Sequence, residues 1–167
     1  GPGGGIVFYV DLNRPAGSQY FEVACAGWPD GTCGGSDLTD QRPAWGCEGT
    51  SITDADGIAI GTGEQNTTDI TAIVGGCATS GIAARLANDL TLGGQTDWFL
   101  PSKDELKLLY TNLQSASTPL GGFLTDDFYL SSSEDDDASA FAQRFDDGVQ
   151  DNRSKGTTYY VRPVRVF

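Results

Sequence analysis

The chain reads as an α+β protein, and three observations predict this. Short apolar runs of strand length lie near both ends, helical periodicity is confined to the middle, and 23 of the 167 residues are glycine. Strands, then helices, then strands is the order of an antiparallel sheet with helices packed beside it, and it lets the terminal strands pair. Glycine is favoured where backbone turns with positive φ, so its abundance adds long, loop-rich connections. The length suits one domain over residues 1–167, large enough to build a core without help from a metal. Eight Phe, six Tyr and three Trp supply the packing.

The elements follow in order. Gly5-Ile-Val-Phe-Tyr-Val-Asp11 is a short apolar run ending in a turn, and Gln19–Ala26 (QYFEVACA) alternates well enough to be its hairpin partner across LNRPAGS. Residues 27–66 are dominated by Gly, Asp, Thr and Pro and predict a long irregular excursion that needs staples to be ordered. Ile70, Ile73, Val74 and Cys77 then fall at helical spacing behind Thr68 or Asp69 as N-cap. Ile82, Leu86 and Leu90 form a second apolar face, stopped by Gly93-Gly94. The best-defined helix follows Pro101. There Ser102-Lys-Asp-Glu105 is a capping box, and Leu106, Leu109, Tyr110 and Leu113 share a face. Three strand-like segments close the chain: Phe128–Ser133, Ala140–Asp146 and Tyr159–Phe167. In the middle one Phe141, Gln143 and Phe145 share one face, leaving Ala142, Arg144 and Asp146 on the other.

Four cysteines stand at 25, 33, 47 and 77. Four allow three pairings, and neighbourhood favours Cys25–Cys33, closing the loop AGWPDGT, with Cys47–Cys77 tying the WGCEG turn to a helix end. A zinc site needs closely spaced Cys or His pairs, and the chain has no CxxC and no His. Disulfides imply an oxidising compartment or an exported surface.

The formal charge of −13, from 23 acidic and 10 basic residues, repels phosphate backbones, anionic membranes and sulfated polysaccharides. Nucleic acid and lipid surfaces are therefore poor candidates as partners, and no direct membrane insertion is expected. A basic protein surface, a neutral glycan or a mixed peptide surface stays open. No apolar run approaches the roughly 20 residues that span a bilayer. The opening GPGGGIVFYV lacks the charged region and cleavage site of a signal peptide, and the chain reads as a module of something longer.

Catalytic patterns are not evident. Gly3-Gly-Gly5 and Gly61-Thr-Gly63 lack the Lys-Ser/Thr or the helix-opening context of phosphate loops and read as turns. Ser131-Ser-Ser133 is no nucleophile elbow. The run Glu134-Asp-Asp-Asp137 with Asp146, Asp147 and Asp151 invites calcium, but its spacing matches no cation loop, and a solvated acidic face is favoured over a metal site. Those same carboxylates lack the desolvated partner that a glycosidase pair requires. Neither a cofactor nor a metal is expected. Arg162 and Arg165 are expected to pair with internal carboxylates. Trp98 inside DWFLP reads as core, leaving Trp45 and especially Trp28, in the cysteine loop, as exposed aromatics that would stack on sugar.

The stretches GGGIVFYVD, WGCEGT, IGTGEQNT, GIAARLAND, DWFLPSKDELKLLY, YLSSSE and YVRPVRVF, in this order over nearly the whole chain, resemble the DUF1566 family, which includes the C-terminal lectin-like domains of bacterial collagen-like adhesins. The resemblance implies a C-type-lectin-like fold: a small twisted antiparallel sheet, two main helices, a long irregular loop region, and paired N- and C-terminal strands. It also implies surface binding or adhesion, within larger multimeric displayed proteins.

A narrower resemblance concerns residues 130–159. The family frame S-S-S-E, A-aromatic-x-Q-x-F-x-x-G-x-Q, K and Y-V-R-P-V-R falls on Ser131–Glu134, Ala140, Phe141, Gln143, Phe145, Gly148, Gln150, Lys155 and Tyr160–Arg165. Leu130 and Phe141 depart from it, standing where the family usually has Trp. This pattern is similar to the variable region of proteins diversified by retroelements, in which a reverse transcriptase randomises adenine-containing codons. Glu134, Gln143, Gln150 and Lys155, types such codons do not reach, all fall on frame positions. The resemblance therefore implies a ligand-binding surface made of the residues in between: Asp135, Asp136, Asp137, Ser139, Ala142, Arg144, Asp146, Asp147, Val149, Asp151, Asn152, Arg153, Ser154, Thr157, Thr158 and Tyr159. Tyr, Ser, Asn and Asp on short segments combine adaptable hydrogen bonding with rigid aromatic contact, and Arg144, Arg153 and Tyr159 are the hot-spot types.

The expectation is a non-enzymatic module displayed outside the cell, on a cell surface or virion, that binds a protein or glycan on a target surface. A fixed-specificity, calcium-assisted adhesin and a trimerising end-domain are the alternatives.

Overall fold

Strand β1 (Ile6–Val10) pairs antiparallel with β2 (Tyr20–Val23), as alternation predicts, with a bulge between Val7 and Tyr9. The computed structural model describes residues 1–33 and 37–167; residues 34–36, within the irregular stretch expected at 27–66, lie outside the described residues.

Three helices occupy the middle. The first, α1 (Gly63–Thr71), starts inside the stretch expected to be irregular, and Thr68 and Asp69 are interior to it rather than N-caps. Periodicity misses its start because its buried face is Gly63, Asn66, Thr67 and Ile70, mostly polar. A Cβ at Gly63 would stand 2.8–2.9 Å from the Ser102 nitrogen and Leu100 oxygen, so the helix begins where only glycine fits against that backbone. The expected continuation through Ile73 and Val74 fails. Both are outside the helix and exposed at 99% and 88%, because the chain reverses there and Cys77 N–H donates to Ile70 O at 2.7 Å. Helix α2 (Ala83–Asn88) turns Ala83, Ala84 and Ala87 inward. Ile82 and Leu90 are buried just beyond its ends, and Gly93-Gly94 forms a later turn bridged by Leu92 and Gln95.

Helix α3 (Lys103–Leu109) carries the predicted capping box. Ser102 N–H donates to Glu105 Oε2 (2.8 Å) and Glu105 N–H to Ser102 Oγ (3.4 Å). Leu106 and Leu109 are buried, as is Leu113 in the wider turn Tyr110–Gln114 that extends the helix.

The last third forms a second sheet, β3 (Phe128–Glu134), β4 (Ser139–Arg144) and β5 (Gln150–Ser154), all antiparallel in that order. Strand β5 is not among the expected strands: QDNRS has no apolar residue to betray it. The C-terminal run is one strand only over β6 (Val164–Val166). Ahead of it, Tyr160 bridges Tyr129, and the chain then crosses to the first sheet, where β6 pairs with β2. The terminal strands thus share a sheet ordered β1-β2-β6, joined through β2 rather than directly.

Strand β3 is buried along its length because apolar clusters lie on both sides of it. Phe128 and Leu130 join Trp45, Ile70, Ile82, Trp98 and Val161, whereas Tyr129 joins Phe21, Phe99, Leu106, Phe123 and Phe145. Buried serines fasten it, as their frame positions suggest. Ser131 Oγ donates to Phe141 O and Ser133 Oγ to Gly57 O, both at 2.7 Å. The fold is α+β; among the described residues it has two small antiparallel sheets rather than one and three α-helices rather than two.

Candidate binding surface

The frame residues of 130–159 hold the second sheet from within. Lys155, wholly buried, donates from Nζ to Glu134 Oε1 (2.5 Å) and Thr50 O (2.7 Å) and lies 4.5 Å from the Trp45 ring centre. Glu134 also accepts from Ile52 N–H at 3.0 Å. Gln150 Nε2 donates to Gln143 Oε1 (3.0 Å) and Lys103 O (2.8 Å), and Gln143 Nε2 reaches Gly148 O, bracing the β4–β5 turn. Gly148 has φ +77°, and a Cβ there would run into the Tyr110 ring, so two independent demands fall on one glycine.

The residues between the frame positions lie outward. Asp135, Asp136 and Asp137 are exposed in the β3–β4 loop, Asp146, Asp147 and Val149 in the β4–β5 turn, Asp151 and Asn152 on β5, and Thr157 and Thr158 beyond it; Ser139, Arg144, Arg153, Ser154 and Tyr159 are half-buried. Ala142 is the exception. It is 1% exposed and packs inward with Ala140, so it cannot touch a ligand.

The three hot-spot types converge on one ring. The Arg153 guanidinium lies 3.9 Å from the Phe128 ring centre and that of Arg144 5.9 Å, while Tyr159 meets Phe128 edge-on at 6.2 Å. Register explains part of this, since Phe128 lies directly opposite Arg144. Phe128 is the residue that sequence reasoning misses. Strand alternation places it on the face of Leu130 and Arg144, but its cross-strand neighbours need the register. Glu48, which accepts from Ser154 Oγ at 2.8 Å, is a second, and carries no local signal.

Both arginines of the surface are paired with neighbouring carboxylates. Arg144 binds Asp146 (2.6 Å) and Asp147 (2.8 Å), and Arg153 binds Asp151 (3.0 Å). Asn152 Nδ2 donates to Asp135 at 2.7 Å, and the Ser139 hydroxyl bonds Asp136 at 2.7 Å. The Arg144 hydrogen bond holds the Asp146 carboxyl below the usual carboxylate range, and the Ser139 hydroxyl does the same for Asp136. Among the described residues no three Asp, Glu, His or Cys side chains form a group that could hold a metal ion.

The tryptophans do not offer a sugar platform. Trp28, Trp45 and Trp98 are all 3% exposed or less, and Trp28 donates from Nε1 to Val161 O. The expectation of Trp28 as an exposed aromatic is thus corrected: the cysteine loop folds its indole inward. Arg162 and Arg165 pair internally as expected. Arg162 forks onto Asp40 (2.7 and 2.5 Å), and Arg165 binds Asp97 and Glu22. Cys25–Cys33 and Cys47–Cys77 are the two disulfides.

The fold is thus an α+β one whose second sheet presents a polar face on a buried polar frame. Residues 46–165 match the family of the Lcl C-terminal domain, and the chain belongs to that family, which is related to the DUF1566 family its motifs resemble. No curated protein matches the chain. The two disulfides place it outside the reducing cytoplasm, and no described helix is long and apolar enough to cross a membrane.

Proposed function

We propose that the chain is a non-enzymatic, surface-displayed binding module of lectin-like fold. It recognises a protein or glycan on a target surface through residues 135–159, and those residues are diversified by a retroelement. One observation carries the reading. Glu134, Gln143, Gln150 and Lys155, the residues outside the reach of such diversification, each make hydrogen bonds that hold the sheet, whereas every residue between frame positions except Ala142 is at least partly accessible. A surface that must change without unfolding needs this separation. Membership of the Lcl C-terminal domain family supports surface display, and the cluster of Arg144, Arg153 and Tyr159 around Phe128 supplies an aromatic–guanidinium centre of the hot-spot type.

The test is the triple variant Arg144→Ala/Arg153→Ala/Tyr159→Ala beside the wild type on glycan and cell-surface protein arrays. The expected result is binding by the wild type, loss of at least about 100-fold in the variant, as for removal of a hot spot, and an unchanged circular dichroism spectrum. Equal binding by both chains, or none by the wild type, would overturn the assignment. Retroelement diversification is checked separately in the flanking DNA. An imperfect repeat of codons 130–167 differing mainly at adenines, near a reverse transcriptase gene, is expected.

A further inference from the structure

The outer edge of the second sheet is strand β5. Arg144 N–H donates to Val149 O and Lys155 N–H to Ala138 O, each at 2.9 Å. With Ala142 opposite Asp151 and Ala140 opposite Arg153, this alternation turns the peptide groups of Asp151 and Arg153 toward β4 and those of Asn152 outward. Both outward groups of Asn152 are met by its own neighbours. Its N–H donates to Asp151 Oδ1 at 2.9 Å, its carbonyl accepts from Arg153 Nη1 at 3.2 Å, and Asp151 and Arg153 are themselves joined at 3.0 Å. The two side chains clamp the part of the edge that an added strand would fill.

The same residues are self-complementary. Two copies of β5 related by a two-fold axis at Asn152 run antiparallel, with residue 151 opposite 153 and 152 opposite 152. Each Asp151 then faces the Arg153 of the other copy, in the closer, non-hydrogen-bonded type of pair, where opposite charges attract. The two Asn152 residues exchange the N–H···O bonds that Asp151 and Arg153 satisfy in the single chain. We propose that β5 pairs edge to edge with β5 of a second copy of this chain, joining two three-stranded sheets into one of six strands. The Asp151–Arg153 clamp is the closed, monomeric alternative.

The exchange replaces contacts by equivalent contacts, so the association is weak and concentration-dependent. The net charge of −13 opposes it, and salt at physiological strength screens that repulsion beyond about 8 Å. The contact is isologous, so it closes at two chains and does not run on into a fibre. It covers the β5 part of the candidate binding surface, leaves the loops at 135–138 and 145–149 open, and requires no ligand. It therefore stands or falls apart from the binding reading.

Sedimentation equilibrium of the whole chain tests it, at concentrations up to about 1 mM, where a millimolar contact is substantially populated. The weight-average mass is expected to rise from 17.6 kDa toward twice that value. Asn152→Pro removes the outward N–H at an edge position where proline is tolerated, and is expected to stay monomeric with a wild-type circular dichroism spectrum. Asp151→Arg alone and Arg153→Asp alone set like charges opposite each other and are expected to stay monomeric. An equimolar mixture of the two restores both pairs and associates at least about 10-fold more tightly than either variant alone. A wild type that remains monomeric throughout, association that Asn152→Pro leaves intact, or a mixture no tighter than its components would overturn the proposal.

Discussion

Arg162 and Arg144 are the same side chain in two surroundings. Arg162 and its partner Asp40 are wholly buried, and Tyr129 adds a hydroxyl to the same carboxylate at 2.6 Å. Burial pushes the Tyr129 phenol well up, so it stays a donor at every pH the protein meets. Arg144 and Asp146 are each 39% exposed and joined by a bond of nearly the same length. The distances match, yet the consequences of removal do not. A buried charge that loses its partner cannot be rescued by water, whereas an exposed one is resolvated at once. The inner network therefore dictates one conformation, and the outer one is free to be rewritten. That difference is what the proposed changeable surface on a fixed frame requires.

The comparison can be broken most forcefully at Arg162. Arg162→Ala leaves Asp40 buried without its cation and is expected to destabilise the fold by about 3–5 kcal/mol, read from urea unfolding. A loss near that of an exposed pair, below about 1 kcal/mol, would erase the distinction between the two networks.

Next in size is the Cys47–Cys77 bridge, which closes a separation of 30 residues and anchors the chain reversal beyond α1. Replacing both cysteines by alanine is expected to lower stability by about 2–4 kcal/mol. An unchanged melting temperature would mean that Cys77 N–H and Ile70 O hold the reversal without help.

The smallest effect belongs to the surface, and pH sharpens it. Asp146 has its folded pKa lowered by Arg144, and Asp97 has its own lowered by Arg165. A lowered carboxyl contributes stability fully above the unfolded value near 3.8, and loses it as pH falls through the lower folded value. In Arg144→Ala the Asp146 titration followed by carboxyl NMR is expected to rise toward 3.8, with acid unfolding little changed. If acid unfolding moves markedly, the outer pair is part of the frame.

Elements whose signal is local are legible in the amino-acid sequence alone. The capping box at Ser102 and Glu105 depends on four consecutive residues, and the N-terminal hairpin on alternation within a short segment. The cysteine pairing follows from neighbourhood. Elements stabilised by distant groups are not legible in this way. Helix α1 buries Asn66 and Thr67 against Gly57, Ser132 and Leu100, so its inner face is polar and its apolar residues Ile73 and Val74 fall beyond its end. Strand β5 is invisible in QDNRS because its pairing comes from β4 and from the Gln143–Gln150 bond.

The candidate surface divides in the same way. Its membership, the residues between the frame positions from Asp135 to Tyr159, is legible in the sequence through its resemblance to the family frame. That Ala142 turns inward, that Phe128 gathers Arg144, Arg153 and Tyr159, and that Asp151 and Arg153 close over Asn152 are decided only by tertiary structure. A strand's side chains alternate by themselves, but which face meets the core, and which residues stand opposite, depends on register with strands elsewhere in the chain.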